Sequence, residues 1–495
     1  MTQSPGDPYQ APFFLLVFSI GLAIFMSSLD GTIVNIALPT ISESFGISSS
    51  TVSWVSTAYL LVMAGCVLVF GKVSDIIGFK KVFLSGFLIF TVGSFACGSL
   101  ADFFNSFPIL VGSRIFQAVG GAMITAIAPA MITAFVPMEK KGKAMGIIMT
   151  LAALGTAIGP TIGGLLTQYL SWHWIFFINV PIGILAILLG KKVIPKTNAP
   201  GTLSGFDRYG SVLIFTGLAT LLFGMTEGQS LGWTSPLITG TLAIAVIAIA
   251  GFIWHERNTS DPILELRLFK KRNFLFANMI MVLIFLSFAG INYLLPFYLQ
   301  YVLGYSTSTA GLVLTSLSFA MMIGGILAGL LFTRIGARPL CIVAGLILAA
   351  GYFMMWHLRV DTTLEFVSLC LTLIGFGMGL LITPVANMIM NSVARSYQGM
   401  VSSLTSLERF APMTIGIAVF NLIFIQGVLS IGVHHGVTEA APASIKLQVL
   451  AAGFDLAFFV SFLLGIVIVV LTFVAQQEIH PDYQEEKEGP VLGMA

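Results

Sequence analysis

Leu29-Asp-Gly-Thr-Ile-Val-Asn-Ile-Ala-Leu-Pro39 lies at the end of the first long apolar run, Phe13 to Leu38. A run of that length crosses a bilayer as a helix. Translocon scales put an aspartate at the centre of such a helix at roughly 2.5 to 3.5 kcal/mol. Asp30 stands there all the same, with Thr32 and Asn35 on the next turn. An intramembrane carboxylate by default faces a water-filled cavity or a partner charge, and so marks a pathway. The plainer reading is a buried, hydrogen-bonded Asp that fixes helix packing. Either way the chain belongs in a membrane, and the remainder can be read as machinery around this residue.

Composition agrees. Of 495 residues, 57% are hydrophobic and 9% charged, against about 25% charged in soluble domains. The net charge of +2 decides little. Cys66, Cys97, Cys341 and Cys370 all fall in apolar runs without close spacing, so neither a disulfide framework nor a metal site is expected. The first run is too long for a signal h-region and lacks a basic n-region, and it is expected to stay as a helix.

Fourteen runs are long enough to span the hydrocarbon, which takes about 20 residues each. They are 13–38, 51–71, 82–101, 107–135, 143–166, 172–190, 206–225, 236–254, 274–299, 308–332, 339–357, 363–390, 400–427 and 449–475. The longest connections are 191–205, 255–273 and 428–448, and a polar tail comes after Ala475. With the N-terminus inside, 19 of the 23 Lys and Arg fall in cytoplasmic loops and the tail. Arg359 and Lys446 lie outside, and Arg114 and Arg409 within helices. That bias predicts a multi-pass protein of the cytoplasmic membrane with both termini cytoplasmic.

The chain also repeats itself at an offset of about 258. Gly46-Ile-Ser-Ser-Ser-Thr matches Gly304-Tyr-Ser-Thr-Ser-Thr, and Pro39 matches Pro296. Gly71 and Gly78 match Gly329 and Gly336, Lys80 falls on Arg338, and Gly121 on Gly379. The expected fold is an all-α membrane protein of two six-helix bundles, residues 1–195 and 273–478. A helix pair is inserted between them (196–272), and a tail completes the chain (479–495). Parallel repeats of this kind build transporters whose site lies near the midplane between the halves.

Several stretches carry candidate roles. Gly71-Lys-Val-Ser-Asp-Ile-Ile-Gly-Phe-Lys-Lys closes the loop between spans 2 and 3. In it Gly71 permits close approach, Gly78 a tight turn, and Asp75 is placed to accept from a helix N-terminus beside Lys80 and Lys81. Arg114 in span 4 is succeeded by Gln117, Gly120 and Gly121. Counted from the outer ends, Asp30 and Arg114 both lie roughly 10–14 Å deep, so the two are expected to interact. Opposed effects of burial and charge then let a ligand or water tip the pair, although a structural ion pair would look the same. In span 5, Gly155, Gly159 and Gly163 share a face around Pro160, the small-residue pattern of close helix contact. Glu408 and Arg409 are about 100° apart on span 13 and cannot both face one cavity; Glu408 is expected to be the second cavity carboxylate. Asn35, Gln117, Asn292, Tyr293, Phe297, Tyr298, Met378, Asn387 and Met388 are candidates to line an adaptable pocket.

Taken together, Leu29–Pro39, Gly71–Lys81, Arg114–Gly121, Gly155–Gly164 and the Trp172-His-Trp-Ile-Phe-Phe-Ile-Asn-Val-Pro stretch resemble the major facilitator superfamily. More closely, they resemble its fourteen-helix drug:proton antiporter branch, over nearly the whole chain. The resemblance implies a rocker-switch carrier with cavity helices 1, 4, 9 and 12 and gating contacts from helices 2, 5, 10 and 13. It also implies export of amphipathic compounds against protons, as in antibiotic resistance. Asp30 and Glu408 would then be proton- or cation-responsive acids, Arg114 the buried cation of helix 4, and Asp75 the gating carboxylate. Gly155, Gly159 and Pro160 would shape the outer seal. There are departures: Ile76 and Phe79 replace arginines of the loop motif, Ala118 a glycine, and His173 an arginine.

The expectation is a proton-coupled exporter of amphipathic, foremost cationic, compounds. A same-fold carrier of a lipid-like or endogenous metabolite is the alternative, with Arg114 gripping an anionic head group. No catalytic constellation, metal spacing or cofactor motif is present in the sequence, so an enzyme is not expected. The expected partners are a small amphipathic substrate, protons and membrane lipid, without nucleic acid, and the chain is expected to act as a monomer.

Overall fold

A computed structural model describes residues 13–136, 138–195, 207–259, 264–394, 397–434, 442–476 and 478. Fourteen long helices carry the fold, and there is no strand among the described residues. They are α1 (Phe13–Ile33), α2 (Trp54–Ile77), α3 (Phe79–Phe103), α4 (Phe107–Phe135), α5 (Met138–Tyr169), α6 (Asn179–Val193), α7 (Arg208–Leu231), α8 (Pro236–Asn258), α9 (Arg272–Phe297), α10 (Thr307–Ile335), α11 (Ala337–Trp356), α12 (Leu364–Asn391), α13 (Gln398–His434) and α14 (Ala443–Val474). Each of them contains a segment long and apolar enough to cross a membrane, as the hydropathy runs predict, α6 doing so together with the short helix Trp174–Phe177 that leads into it. Such helices satisfy their own backbone groups, which hydrocarbon demands.

The first run ends earlier than its hydropathy suggests. Helix α1 stops at Ile33, a 3-10 turn covers Asn35–Ala37, and a short helix resumes at Leu38–Phe45. Pro39 has no N–H to offer the Asn35 carbonyl, so the regular ladder cannot run through.

Helices α1–α6 pack among themselves, chiefly α3 on α4, α1 on α5 and α2 on α4. Helices α9–α14 do the same through α10 on α12, α11 on α12 and α9 on α13. The two groups meet along α5–α10 and α2–α13. The repeat is visible in matching local geometry. Gly46 (φ 61°) and Gly304 (φ 69°) make the same left-handed turn. Ser48 and Ser306 then accept from the N–H of Thr51 and Thr309, capping the helical turns that begin there. Gly78 (φ 89°) and Gly336 (φ 80°) end α2 and α10. Lys80 Nζ donates to the carbonyls of Lys191 and Ile194 at the end of α6, both at 2.7 Å. Its counterpart Arg338 donates to the Phe473 carbonyl near the end of α14, at 2.9 Å. Cations at helix C-termini complement the dipole.

Helices α7 and α8 pair with each other, and α7 also touches α2 and α13, one from each group. Trp54 Nε1 donates to Glu227 Oε1 at 2.7 Å and fixes α7 to α2. The far face of α8, with Val246, Ile247 and Trp254, is exposed.

Candidate functional site

Asp30 has no solvent exposure and Arg114 1%. Their side chains meet at 2.8 Å between Asp30 Oδ2 and Arg114 Nη1. Asp30 Oδ1 accepts from Gln117 Nε2 at 3.0 Å and from Asn179 Nδ2 at 2.9 Å. Gln117 Nε2 also donates to Ser94 Oγ, and Arg114 donates to Gln117 Oε1 and to the Val55 carbonyl. The guanidinium lies over the Tyr59 ring at 4.0 Å, with Phe176 at 5.5 Å. Five helices, α1, α2, α3, α4 and α6, thus converge on one buried charge pair. A buried carboxylate keeps its charge only when paired and hydrogen-bonded, and every acceptor position of Asp30 in use here goes to a donor of its own helix group.

Arg114 is the link from this network to the space between the groups. A cavity of about 10 Å³, room for about one water, is lined by Arg114, Tyr59, Thr32 and Asn35 on one side and by Asn292, Met413 and Ile417 on the other. The carboxylate of Asp30 does not line it. Toward the Gly46 and Gly304 turns, which the Lys/Arg bias assigns to the outside, the groups are closed. Gln300 Nε2 donates to the Ile36 carbonyl and Tyr301 to the Pro39 carbonyl, both at 3.2 Å. Tyr293 donates to the Ser49 carbonyl, and the Ser308 N–H to Gln168 Oε1 at 2.9 Å. Thr161 and Thr315 hydroxyls meet at 2.5 Å. Gln300 and Tyr301 ride on a π-helical turn, Tyr298–Val302, just beyond Pro296. Such turns recur at functional sites.

Glu408 and Arg409 part company as their 100° separation requires. Glu408 is 5% exposed, and its Oε2 has no hydrogen-bond partner. Arg409 is exposed, although α13 is flanked by α2, α7, α9, α12 and α14. On α13 it stands one and two turns before Met413 and Ile417, which line the cavity between the groups, so its exposure is on the helix face that borders that space. The cation, not the carboxylate, therefore reaches solvent in this conformation. Among the other candidates, Asn35 and Asn292 line the cavity, Gln117 holds Asp30, and Asn387 is half-buried and donates to the Thr383 carbonyl. Tyr293, Phe297 and Tyr298 are buried toward the closed end, and Met378 and Met388 are buried in α12.

The sequence profile of the Major Facilitator Superfamily matches residues 20–417. The chain belongs to the major facilitator superfamily. It is 33% identical over 415 residues to the riboflavin transporter RibZ of Clostridioides difficile, covering 84% of this chain and 89% of that one. It is 32% identical over 410 residues to the multidrug transporter protein MdtP of Bacillus subtilis (83% and 75% covered). It is 33% identical over 438 residues to the multidrug resistance protein Stp of Mycobacterium tuberculosis (88% and 80%). Among solved structures it is similar to a bacterial homolog of the human lysosomal transporter Spinster (TM-score 0.66, 16% identity, 95% and 97% covered). It is also similar to a D-xylose–proton symporter (TM-score 0.64, 15% identity, 94% and 98%). The chain is thus a multi-pass membrane transporter of the superfamily fold.

The remaining superfamily motifs fall where close packing needs them. A Cβ on Gly155 would stand 2.6 Å from the Phe25 carbonyl oxygen, and one on Gly163 2.6 Å from that of Ile33. Gly159 faces Thr32. The glycine face of α5 is therefore laid on α1 beside Asp30, while Pro160 and Gly164 meet Gly311 and Thr307 of α10. In the loop motif, Gly71 has open space, Lys80 is half-buried, Lys81 is exposed, and the side chain of Asp75 lies outside the described residues. His173, where an arginine is usual, stacks on Trp172 at 3.7 Å. Burial pushes its imidazole below the usual histidine range, against the pull of Asp102, so at neutral pH it adds no cation. Asn179 lies within the Trp172–Pro181 stretch, but nothing in that stretch announces that its side chain reaches Asp30. Its position near the start of the sixth span, at the end that carries the Gly46 turn, places it at a depth similar to that of Asp30.

Proposed function

We propose that this transporter exports amphipathic compounds from the cytoplasm in exchange for protons, and that Glu408 is the group that carries the exchanged proton. The observation that carries this reading is a buried carboxyl without a partner. Asp30 is fully compensated by Arg114, Gln117 and Asn179, whereas Glu408 sits in a spanning helix at 5% exposure with an orphaned oxygen. Without a cation opposite, a buried carboxyl is cheapest to hold as the neutral acid. The outer end is closed here, so a proton on Glu408 can leave only toward the inner side. Substrate entering the recess beside Arg409, Met413 and Tyr59 brings water and polar groups to α13 and lets the acid ionise. The empty, ionised carrier is re-protonated from outside once the outer contacts open.

The Asp30–Arg114 pair has a different part in this reading. It locks five helices of one group into a single rigid unit, and it adjusts to substrate through Arg114, the member that lines the shared cavity. A cationic substrate preference draws on open carboxylates. In this conformation the recess displays Arg409 instead, so we leave the substrate class at amphipathic. A carrier of an endogenous planar metabolite is the second reading, favoured by the similarity to a protein named as a riboflavin transporter. In it Arg409, not the engaged Arg114, is the cation free to meet an acidic group.

Inverted membrane vesicles test the proposal. Uptake of rhodamine 6G or riboflavin should collapse with a protonophore. Glu408→Gln should lose gradient-driven uptake yet keep substrate-for-substrate exchange. Gradient-driven uptake unchanged in Glu408→Gln would overturn the assignment.

A further inference from the structure

At the inner foot of the inserted pair two carboxyl groups are packed against each other. Asp207 precedes α7 and Glu256 lies in the last turn of α8; the Asp207 side chain and Glu256 are each 4% exposed. Every oxygen but two is accounted for. Asp207 Oδ1 accepts from the Gly210 N–H at 2.8 Å and meets His255 Nε2 at 2.7 Å. Glu256 Oε2 accepts from the Leu264 N–H at 2.9 Å. Asp207 Oδ2 and Glu256 Oε1 are buried with no hydrogen-bond partner, and both crowd one residue. A Cβ at Gly210 would lie nearer than 3.0 Å to each of them. The glycine leaves the room that brings the two oxygens together. Both oxygens therefore face the same small space over Gly210, side by side. Two acceptors in that relation satisfy each other only if a proton lies between them, and two buried carboxylates cannot both stay charged at low cost.

We propose that Asp207 and Glu256 form a second proton-binding site, outside the translocation recess, that holds one shared proton and thereby ties α7, α8 and the segment leading to α9. The charged and titratable groups around it are Arg208 and Tyr209 on α7, and His255 and Arg257 on α8. Glu265, Arg267 and Lys270 come next, at the 3-10 turn Leu266–Lys270. Of these, His255 touches the pair; Arg208, Tyr209, Arg257, Arg267 and Lys270 are exposed. No cation among the described residues is therefore buried with the pair except a protonated His255, which contacts only the far oxygen of Asp207. The tie extends further through the backbone: the Glu265 N–H donates to Met400 Sδ of α13 at 3.1 Å. Loss of the shared proton leaves two like charges in a closed space, frees Leu264, and loosens the inserted pair from α13. The device reports inner-side pH, and it gives the inserted helices a role that does not depend on substrate.

Linkage sets the sign of the pH dependence. The folded pair keeps a proton that the unfolded chain releases near the ordinary carboxyl range of about 4, so stability contributed by the pair falls as pH rises. The test uses the purified full-length protein in lipid nanodiscs. Melting temperature and amide exchange over residues 256–270 are monitored from about pH 5.5 to about pH 9, a range clear of ordinary carboxyl titration. The wild type should lose melting temperature and protection in that segment toward high pH. Glu256→Gln, which supplies the donor permanently, should fold and show a flattened profile. Gly210→Ala should separate the oxygens and lose the protection at all pH values. The wild type should also show the infrared band of a protonated carboxyl at pH 7, absent from Glu256→Gln. Parallel pH profiles for wild type and Glu256→Gln, or the same infrared band in both, would overturn the proposal.

Discussion

Asp30 has more partners in the structure than its place in the sequence discloses. Depth counting along two helices is enough to bring Arg114 to it, because rise per residue is fixed, and the pair stands at 2.8 Å. What periodicity cannot supply is which way each side chain turns. Asp30 faces the helices of its own group, and Arg114 alone of the two borders the shared cavity. The same limit applies to Glu408 and Arg409. Their 100° separation is legible, but which of the two reaches solvent depends on the neighbours of α13, and these are set by tertiary packing. The energetic consequence of the buried pair is direct. Removing one partner strands the other, so Asp30→Asn and Arg114→Gln should each destabilise the protein by about 3–5 kcal/mol. The double variant should recover a large part of the loss in thermal unfolding. Additive losses in the double variant would mean that the two charges do not depend on each other.

Helix by helix, the fold is legible because a bilayer demands long apolar runs and leaves few alternatives. All fourteen appear. The exception is the end of α1, where Pro39 interrupts the ladder, and where the Ile36 and Pro39 carbonyls accept from Gln300 and Tyr301. The glycine pattern of α5 is also readable as a close-contact face; that its partner is α1, beside the charge pair, is not. A methyl group at Gly155 or Gly163 meets backbone oxygen, which cannot move aside as a side-chain tip would. Gly155→Ala and Gly163→Ala should therefore each cost about 1–3 kcal/mol and reduce transport, measured as melting temperature and vesicle uptake. Gly112→Ala, on α4 with nothing within 4 Å of its added carbon, is the control and should be silent. Equal effects at all three positions would remove the argument for close approach.

For the whole molecule, the two helix groups are joined at the end expected to lie outside, through side chains donating to backbone carbonyls and a backbone N–H donating to Gln168. Groups of that kind come with any peptide backbone, which is why no sequence motif announces them. The repeat does announce the equivalence of the groups, down to the two capping serines and to Lys80 and Arg338 at the ends of α6 and α14. It does not extend to the ionisable groups. One group buries a compensated pair and the other an uncompensated acid, and we assign proton exchange to that asymmetry. The most direct test is the proton itself, counted in weakly buffered solution when rhodamine 6G or riboflavin is added to the purified protein in nanodiscs near neutral pH. The account predicts release of about one proton per bound substrate by the wild type, and none from Glu408→Gln at equal occupancy. Release by Glu408→Gln equal to that of the wild type, or binding by the wild type with no change in protons, would contradict it.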